Sequence, residues 1–206
     1  MENITTMIIS ITALIGSIST LIVTLAKAKK EIKNSLPNKI KTQCNINLDI
    51  IDKMERVKEV TGAARVQFYD FHNGGHYANG RSALKVSCSF EVVRIGVKAY
   101  QKELQAVPLS CIPKFVRTLL DNNTMKVNNI EDLKEKMPAT YQLKYDQGVK
   151  SFFDIIINNK QGEPVGFLGI QFNEINRVDF SDCQKEETYK LKYFIEENLE
   201  KMITKQ

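Results

Sequence analysis

The 206-residue chain has no tryptophan, and only two histidines, four cysteines and five prolines. Cys44, Cys88, Cys111 and Cys183 lie far apart with no CxxC spacing, which argues against a zinc knuckle and reads as reduced thiols. No Walker loop, Gly-x-Ser-x-Gly, HExxH or telling pair of carboxylates is present. Repeats and low-complexity tracts are also lacking. Acidic residues are scarce in one place: between residues 27 and 46, Glu31 is the only one, beside Lys27, Lys29, Lys30, Lys33, Lys39 and Lys41. Much of the formal net charge of +5 therefore sits in that flank. The rest shows no basic stripe of the kind nucleic acid requires, so no nucleic-acid partner is expected. Elsewhere the composition, 43% hydrophobic and 26% charged, is that of an ordinary globular protein.

Residues 4–26 form an uncharged run. At 1.5 Å per helical residue it is long enough for a hydrocarbon core about 30 Å thick. Only Glu2 is charged ahead of it, and the run is too long for the core of a cleaved signal peptide. The expectation is a transmembrane helix. The basic flank would stay in the cytoplasm by the positive-inside rule and touch anionic membrane lipid. The expected layout is an external N-terminus at 1–3, a membrane helix at 4–26, a basic juxtamembrane linker at 27–46 and a soluble domain at 47–206. That places the protein in the inner membrane, single-pass, with its C-terminal domain cytoplasmic. Thr6, Ser10, Ala13, Ser17, Thr20 and Thr24 follow steps of four and three, a small-residue seam that could pack helix on helix in a homo-oligomer. The alternative is that these hydroxyls bond back to their own helix.

Roughly 160 residues remain after the anchor and flank, enough for one domain with a core. Pro37 and Asn38 interrupt the helix that leaves the run. A second helix starts at Asn47 and ends at Gly62. Period-two alternation predicts a strand over 64–71, with Val66 and Phe68 opposite Gln67, Tyr69 and Phe71. Residues 73–80, with Asn73-Gly74-Gly75 and Asn79-Gly80, predict a polar loop before a strand at 84–90. Residues 92–104 read as a helix, 114–120 as another, and 125–127 as a short strand. Small helices are expected at 130–137 and 140–145. Strands at 151–158 and 165–173, joined through Gly162, form a hairpin. Ser181 and Gln184 make a capping box for a closing helix that carries Leu191, Phe194, Ile195, Leu199, Met202 and Ile203.

This order is α+β, an antiparallel sheet flanked by helices. The stretch Ser151-Phe152-Phe153-Asp154-Ile155-Ile156-Ile157 followed by Gly162-Glu163-Pro164-Val165-Gly166-Phe167-Leu168-Gly169-Ile170 resembles the closing hairpin of the GAF/PAS-like sensor fold. The resemblance covers about 47–205. It implies that the segment between the first strands borders a small-molecule pocket. Residues 68–81 hold both histidines together with aromatics, amides and an arginine. The ligand candidates are Tyr69, His72, Asn73, Gly74, Gly75, His76, Tyr77 and Arg81, with Cys88 on the next strand. Glycine amides can approach a ligand closely, and Arg81 can pair with an anion. The competing reading is a self-satisfied turn. His72, His76, Asp70 and Cys88 are zinc ligands by type, but two glycines inside His-x-x-x-His oppose the helix such spacing needs, and no metal is expected. Some GAF-like proteins reduce methionine sulfoxide with pocket cysteines. Cys88 and Cys111 lack that pattern around them, which leaves only a slight case for a thiol enzyme and no catalytic residue.

The leading expectation is a membrane-anchored, non-enzymatic sensory or regulatory module. It would act through oligomerisation or a protein partner, with its cofactor, if any, unidentified. No kinase, cyclase or DNA-binding output segment follows in the sequence, so a signal is expected to pass through the first helix, the last helix or a partner. A second reading is a lysis protein similar to the T-even phage holin family, which also joins one anchor to one soluble domain. A third is a membrane scaffold for a protein partner.

Overall fold

The structure, a computed structural model, describes the backbone of residues 2–33 and 35–202, and the side chains of 14–32, 35 and 37–199. It divides into two compact units, Met1–Asn45 with Thr204–Gln206, and Ile46–Ile203.

The first unit contains α1, Glu2–Lys33, and the beginning of α2, Leu36–Thr61. The break falls just ahead of Pro37, where a proline costs a helix little because its missing N–H would have no partner in the first turn. Helix therefore occupies most of what the sequence suggested to be a linker. Among the described residues, no helix is long and apolar enough to cross a membrane. This corrects the single-pass inner-membrane assignment, with its external N-terminus and cytoplasmic domain, and leaves the anchor that the holin and membrane-scaffold readings need without support. Within the proposed seam, Ser17 donates to the Leu14 carbonyl at 3.1 Å, Thr20 to Gly16 at 2.9 Å and Thr24 to Thr20 at 2.8 Å. The side chains of Thr6, Ser10 and Ala13 lie outside the described residues.

The second unit is α+β. Its six antiparallel strands are β1 (Arg65–His76), β2 (Ser82–Val93), β3 (Val107–Pro108), β4 (Thr124–Val127), β5 (Ser151–Asn158) and β6 (Pro164–Phe172), in the order β3-β2-β1-β6-β5-β4. Strand alternation sorts the two faces. Val66 and Phe68 of β1, Ile155 and Ile157 of β5, and Leu168, Ile170 and Phe172 of β6 point to one side. There Ile50, Met54 and Val57 of α2 and Leu191 and Ile195 of α5 (Asp182–Met202) cover them. The opposite face carries Tyr69, Cys88, Phe152, Ile156 and Phe167. It is covered by α3 (Pro113–Asn122), a 3-10 turn at Ile130–Leu133 and α4 (Pro138–Asp146). Both short helices begin on a proline, the residue best suited to a first helical position.

Local chemistry sets the ends of these elements. Gly62, at φ 69°, lets the chain leave α2, and the Ala63 amide bonds back to the Lys58 carbonyl at 3.1 Å. The Asn159 side chain accepts from the amides of Gln161 and Glu163, closing the β5–β6 turn in which Gly162 takes φ 80°. Ser181 and Gln184 exchange the two capping-box bonds, at 2.9 and 3.4 Å, ahead of α5. Met202 and Ile203 lie outside the described side chains.

Two expected elements differ. Residues 73–80 are not a loop throughout, because β1 continues to His76 and pairs it with Ser82 across an irregular register, leaving a tight turn at Tyr77–Arg81. Residues 92–104 are not a helix. β2 runs to Val93, Gly96 takes φ 85°, and the chain beyond is held by side chains of the sheet. The Glu91 carboxylate accepts the amides of Tyr100 and Gln101, each at 2.7 Å, and Arg65 donates to the Lys98 carbonyl at 2.6 Å.

Candidate functional site

The face under α3 and α4 holds the polar groups that alternation places opposite the apolar ones. Arg65, Gln67, Asp154 and Gln171 are all essentially inaccessible. Arg65 Nε lies 2.9 Å from Glu91 Oε1, off the line of a hydrogen bond, and its Nη1 donates to Gln171 at 3.0 Å. Gln171 donates to Gln67 at 2.6 Å, and the Tyr69 hydroxyl donates to the same Gln67 oxygen at 2.7 Å. Burial pushes the Tyr69 phenol well above its ordinary range, which keeps it a donor. These groups partner one another and pin the 98–101 segment across the sheet.

A second buried pair is less complete. Lys144 of α4 and Asp154 of β5 are 3% and 0% exposed. Their nearest approach, Nζ to Oδ2, is 3.5 Å, at the limit of a hydrogen bond. Asp154 Oδ1 has no partner. A side chain at Gly169 would come 2.8 Å from that oxygen, so the glycine makes room for the carboxylate. The Lys144 ammonium otherwise meets aromatic faces, 4.4 Å from the Phe152 ring and 5.9 Å from Phe115. Burial raises the Asp154 carboxyl to about 6 against the opposing pull of Lys144, and burial lowers the Lys144 ammonium. Two charges that burial drives toward neutrality, joined by one long bond, stand out in the core.

Lys144, but not Asp154, borders a cavity of about 30 Å³ walled by Tyr69, Val86, Leu104, Val107, Ile112, Phe115, Leu143 and Phe167. Lys144 and Thr140 complete the wall, whose exposed surface is almost wholly apolar. The Tyr69 ring stacks on Phe167 at 4.5 Å and Phe115 meets Phe167 edge-on at 5.5 Å, so the wall is rigid on the sheet side. Leu104 and Val107 form the other side, from the segment without helix.

The residues singled out in the sequence separate. Tyr69 lines the cavity. Cys88 lies near it, fully buried, its thiol donating to the Phe90 carbonyl at 3.3 Å and pushed up by burial, the state of an unreactive cysteine. Cys111 is exposed in a 3-10 turn, Leu109–Cys111. His72, Asn73, Gly74, Gly75 and His76 are on the exposed end of the β1–β2 hairpin. His72 bonds the Ser87 hydroxyl at 2.8 Å and Asn73 accepts the Gly75 amide at 3.1 Å, as in a self-satisfied turn. Asp70 accepts from Ser89, and burial raises its carboxyl. Tyr77 and Arg81 stack at 4.8 Å and line a separate open groove of about 430 Å³ against Pro113, Val116 and Leu120 of α3. Among the described residues, no group of three or more acidic, histidine or cysteine side chains could hold a metal ion. Lys144 and Asp154 escaped sequence reasoning. The visible signal was one carboxylate inside the apolar run 151–157, with nothing to show which cation would meet it.

No protein-family model matches the chain, and no curated protein matches it. Solved structures do. A far-red cyanobacteriochrome photoreceptor superposes with a TM-score of 0.60 at 11% identity, over 87% of this chain and 99% of that one. The cyanobacteriochrome receptor PixJ gives 0.57 at 12%, over 77% and 97%. The phycocyanobilin-bound GAF domain of a cyanobacterial phytochrome gives 0.54 at 17%, over 82% and 96%. At such identities the likeness speaks for architecture alone, and the architecture is GAF-like.

Proposed function

We propose that the chain is a non-enzymatic sensory or regulatory module that reads a small molecule at the cavity beside Lys144 and passes the state on through self-association or a protein partner. The observation that carries this reading is an apolar cavity bordered by a buried lysine whose ammonium makes one long bond, to Asp154. A cationic side chain in a core is costly unless something offsets it, and such groups concentrate at functional sites. The GAF-like fold occurs in photoreceptors, among them a phycocyanobilin-bound domain, which agrees with a sensory role. A bilin does not fit the residues present. About 30 Å³ holds roughly two water-sized groups, and the nearby thiol is sealed in the core. Of the sequence candidates, Tyr69 belongs to this site, while Tyr77 and Arg81 would serve another.

The test is a melting-temperature screen of the full chain against small metabolites, with sedimentation analysis of each compound that binds. A compound at a hundred times its dissociation constant adds about 2.7 kcal/mol of stability. Leu104→Phe, which fills the cavity from the wall opposite the sheet, is expected to abolish the response and leave the fold intact. A binder whose effect survives Leu104→Phe but is lost with Arg81→Ala would move the site to the hairpin groove and refute this one.

A further inference from the structure

We infer that the open edge of β4 receives a short extended segment of a protein partner, which adds to the sheet as a further antiparallel strand and seats an aromatic or large aliphatic side chain in the pocket beside that edge. This rests on the proposed output through a protein partner and names the surface that output uses.

The hydrogen-bond pattern leaves this edge open. β4 ends the strand order on one side. β3 ends it on the other with only two residues, one of them Pro108, which has no N–H to offer. In an antiparallel ladder, residues alternate between pairs that exchange both backbone bonds and pairs that exchange none. The Ile156 amide donates to the Asn123 carbonyl at 2.9 Å, which fixes the alternation. Along the register from there, Met125 and Val127 bond to Asp154 and Phe152, whereas Thr124 and Lys126 turn their N–H and C=O groups away from β5. Among the described residues, no other backbone group bonds to them.

The length of the edge selects the kind of partner. Beyond Val127, the Asn128 carbonyl accepts the Asn176 amide at 2.8 Å. Ahead of Thr124, the chain turns out of α3 at Asn123, φ 60°. What remains between is about 14 Å of strand. Two such edges joined around a two-fold axis fall well short of the roughly 1,200 Å² that a stable interface buries, which argues against a second copy. A peptide can use so short an edge, because main-chain bonds hold it and one anchored side chain selects it.

The pocket supplies that anchor. Directly opposed residues of an antiparallel pair share a face, so residues set against Thr124 and Lys126 point toward α5, while Met125 and Val127 belong to the core on the other side. A pocket of about 310 Å³ lies on the α5 side, lined by Thr124 and Lys126 themselves. Its floor is apolar: Phe153 of β5 meets Phe180 edge-on at 5.3 Å, with buried Val178 beside them. Tyr189 of α5 adds a further ring. Such surfaces take an aromatic or branched side chain. The rim carries both signs, Lys126 and Lys185 with Asp179, so charge does not select the segment. An edge lysine ordinarily discourages a further strand. Lys126 is instead tied to Asp179 on the pocket rim. Met125 pairs with Asp154, so the edge stands one strand from the buried Lys144–Asp154 pair.

The test titrates the isotope-labelled full chain with the blocked hexapeptide acetyl-Lys-Thr-Phe-Thr-Val-Glu-amide, whose phenylalanine and valine fall against Thr124 and Lys126. Their amide signals are expected to shift at millimolar peptide. Serine in place of the phenylalanine should weaken binding about tenfold or more, the effect of one buried aromatic side chain. N-methylation of the phenylalanine and valine removes the N–H groups aimed at β4 and should abolish binding. N-methylation of the two threonines, whose N–H groups point away, should leave it. Lys126→Pro removes an outward N–H and spares the β5 ladder, so it should lose the peptide with a melting temperature close to wild type. The methylated peptides decide the matter if that variant does not fold. Equal binding of the two methylated peptides, or no shift at Thr124 and Lys126 with the unmodified one, overturns strand addition. The cavity is tested separately, by the Leu104-dependent melting response. Full binding of the serine peptide overturns the anchoring role of the pocket. A dimer in sedimentation that Lys126→Pro makes monomeric gives the edge to a second copy and overturns the peptide.

Discussion

Replacing Lys144 by methionine removes the only cation that Asp154, at 0% exposure, meets among the described residues. Methionine restores much of the apolar volume, so the change isolates the charge. Removing one member of a buried pair typically costs about 3–5 kcal/mol, because the survivor is left uncompensated. At pH 7.5 the variant should lose that much. With a urea slope of about 2 kcal/mol per molar, its midpoint falls by about 2 M. The loss has a pH signature whose sign follows from the carboxyl. In the native protein burial raises Asp154 from its ordinary 3.8 to about 6. Between those values the native state binds the proton better than the unfolded chain, so this contribution is fully present below about pH 4 and is lost as pH rises through about 6. A shift of this size corresponds to about 3 kcal/mol. Without Lys144 the carboxyl is raised further, so the variant keeps its proton to higher pH. Its deficit should therefore shrink by about 1.4 kcal/mol for each unit from pH 7.5 down to about 6, and stay level below, where wild type takes up the same proton. Adding Asp154→Asn should recover most of the loss. The assay is urea unfolding followed by far-ultraviolet circular dichroism at pH 5, 6, 7 and 7.5. A variant within 1 kcal/mol of wild type at pH 7.5, or a deficit that does not change with pH, refutes the account of this pair.

Gly166→Ala should lower stability by about 2 kcal/mol, because a Cβ there meets the Tyr69 carbonyl across the β1–β6 ladder; a urea midpoint equal to wild type would show that the strands shift freely. Leu168→Ala, at a site with no exposure on the α2–α5 face, should cost about 2–5 kcal/mol in the same assay, and a smaller loss would mean that this core collapses around the gap. Ser181→Ala removes the capping bond to the Gln184 amide and should lower stability by about 1 kcal/mol, seen as a fall in melting temperature; no fall would leave the cap without energetic weight. His76→Ala and Arg81→Ala, both on the exposed hairpin end, should each stay within about 0.5 kcal/mol of wild type, and a larger loss would expose a packing role for the turn.

The sequence alone determined the local parts whose signals are carried by neighbours in the chain. Alternation marked the beginning of β1, two apolar runs around a glycine turn marked β5 and β6, and Ser181 with Gln184 marked the start of α5, because strand faces, turns and caps each involve residues a few positions apart. The α+β order and the likeness to a sensor fold followed from those parts. What depends on distant partners was decided only by tertiary structure. Residues 92–104 have the composition of a helix, yet Glu91 takes the amides of Tyr100 and Gln101 and Arg65 takes the Lys98 carbonyl, so the segment lies across the sheet. The polar and glycine-rich 73–80 segment mostly extends the hairpin, because β2 supplies pairing partners that local turn chemistry does not reveal. The uncharged run near the N-terminus suggested a membrane span on length and flanking charge, whereas no described helix is long and apolar enough to make one. The candidate site depends most on folding. Lys144 is an ordinary lysine in a short helix, and Asp154 one acid in a strand. They meet only because α4 packs on the face of the sheet to which Asp154 of β5 points and shuts water out from between them.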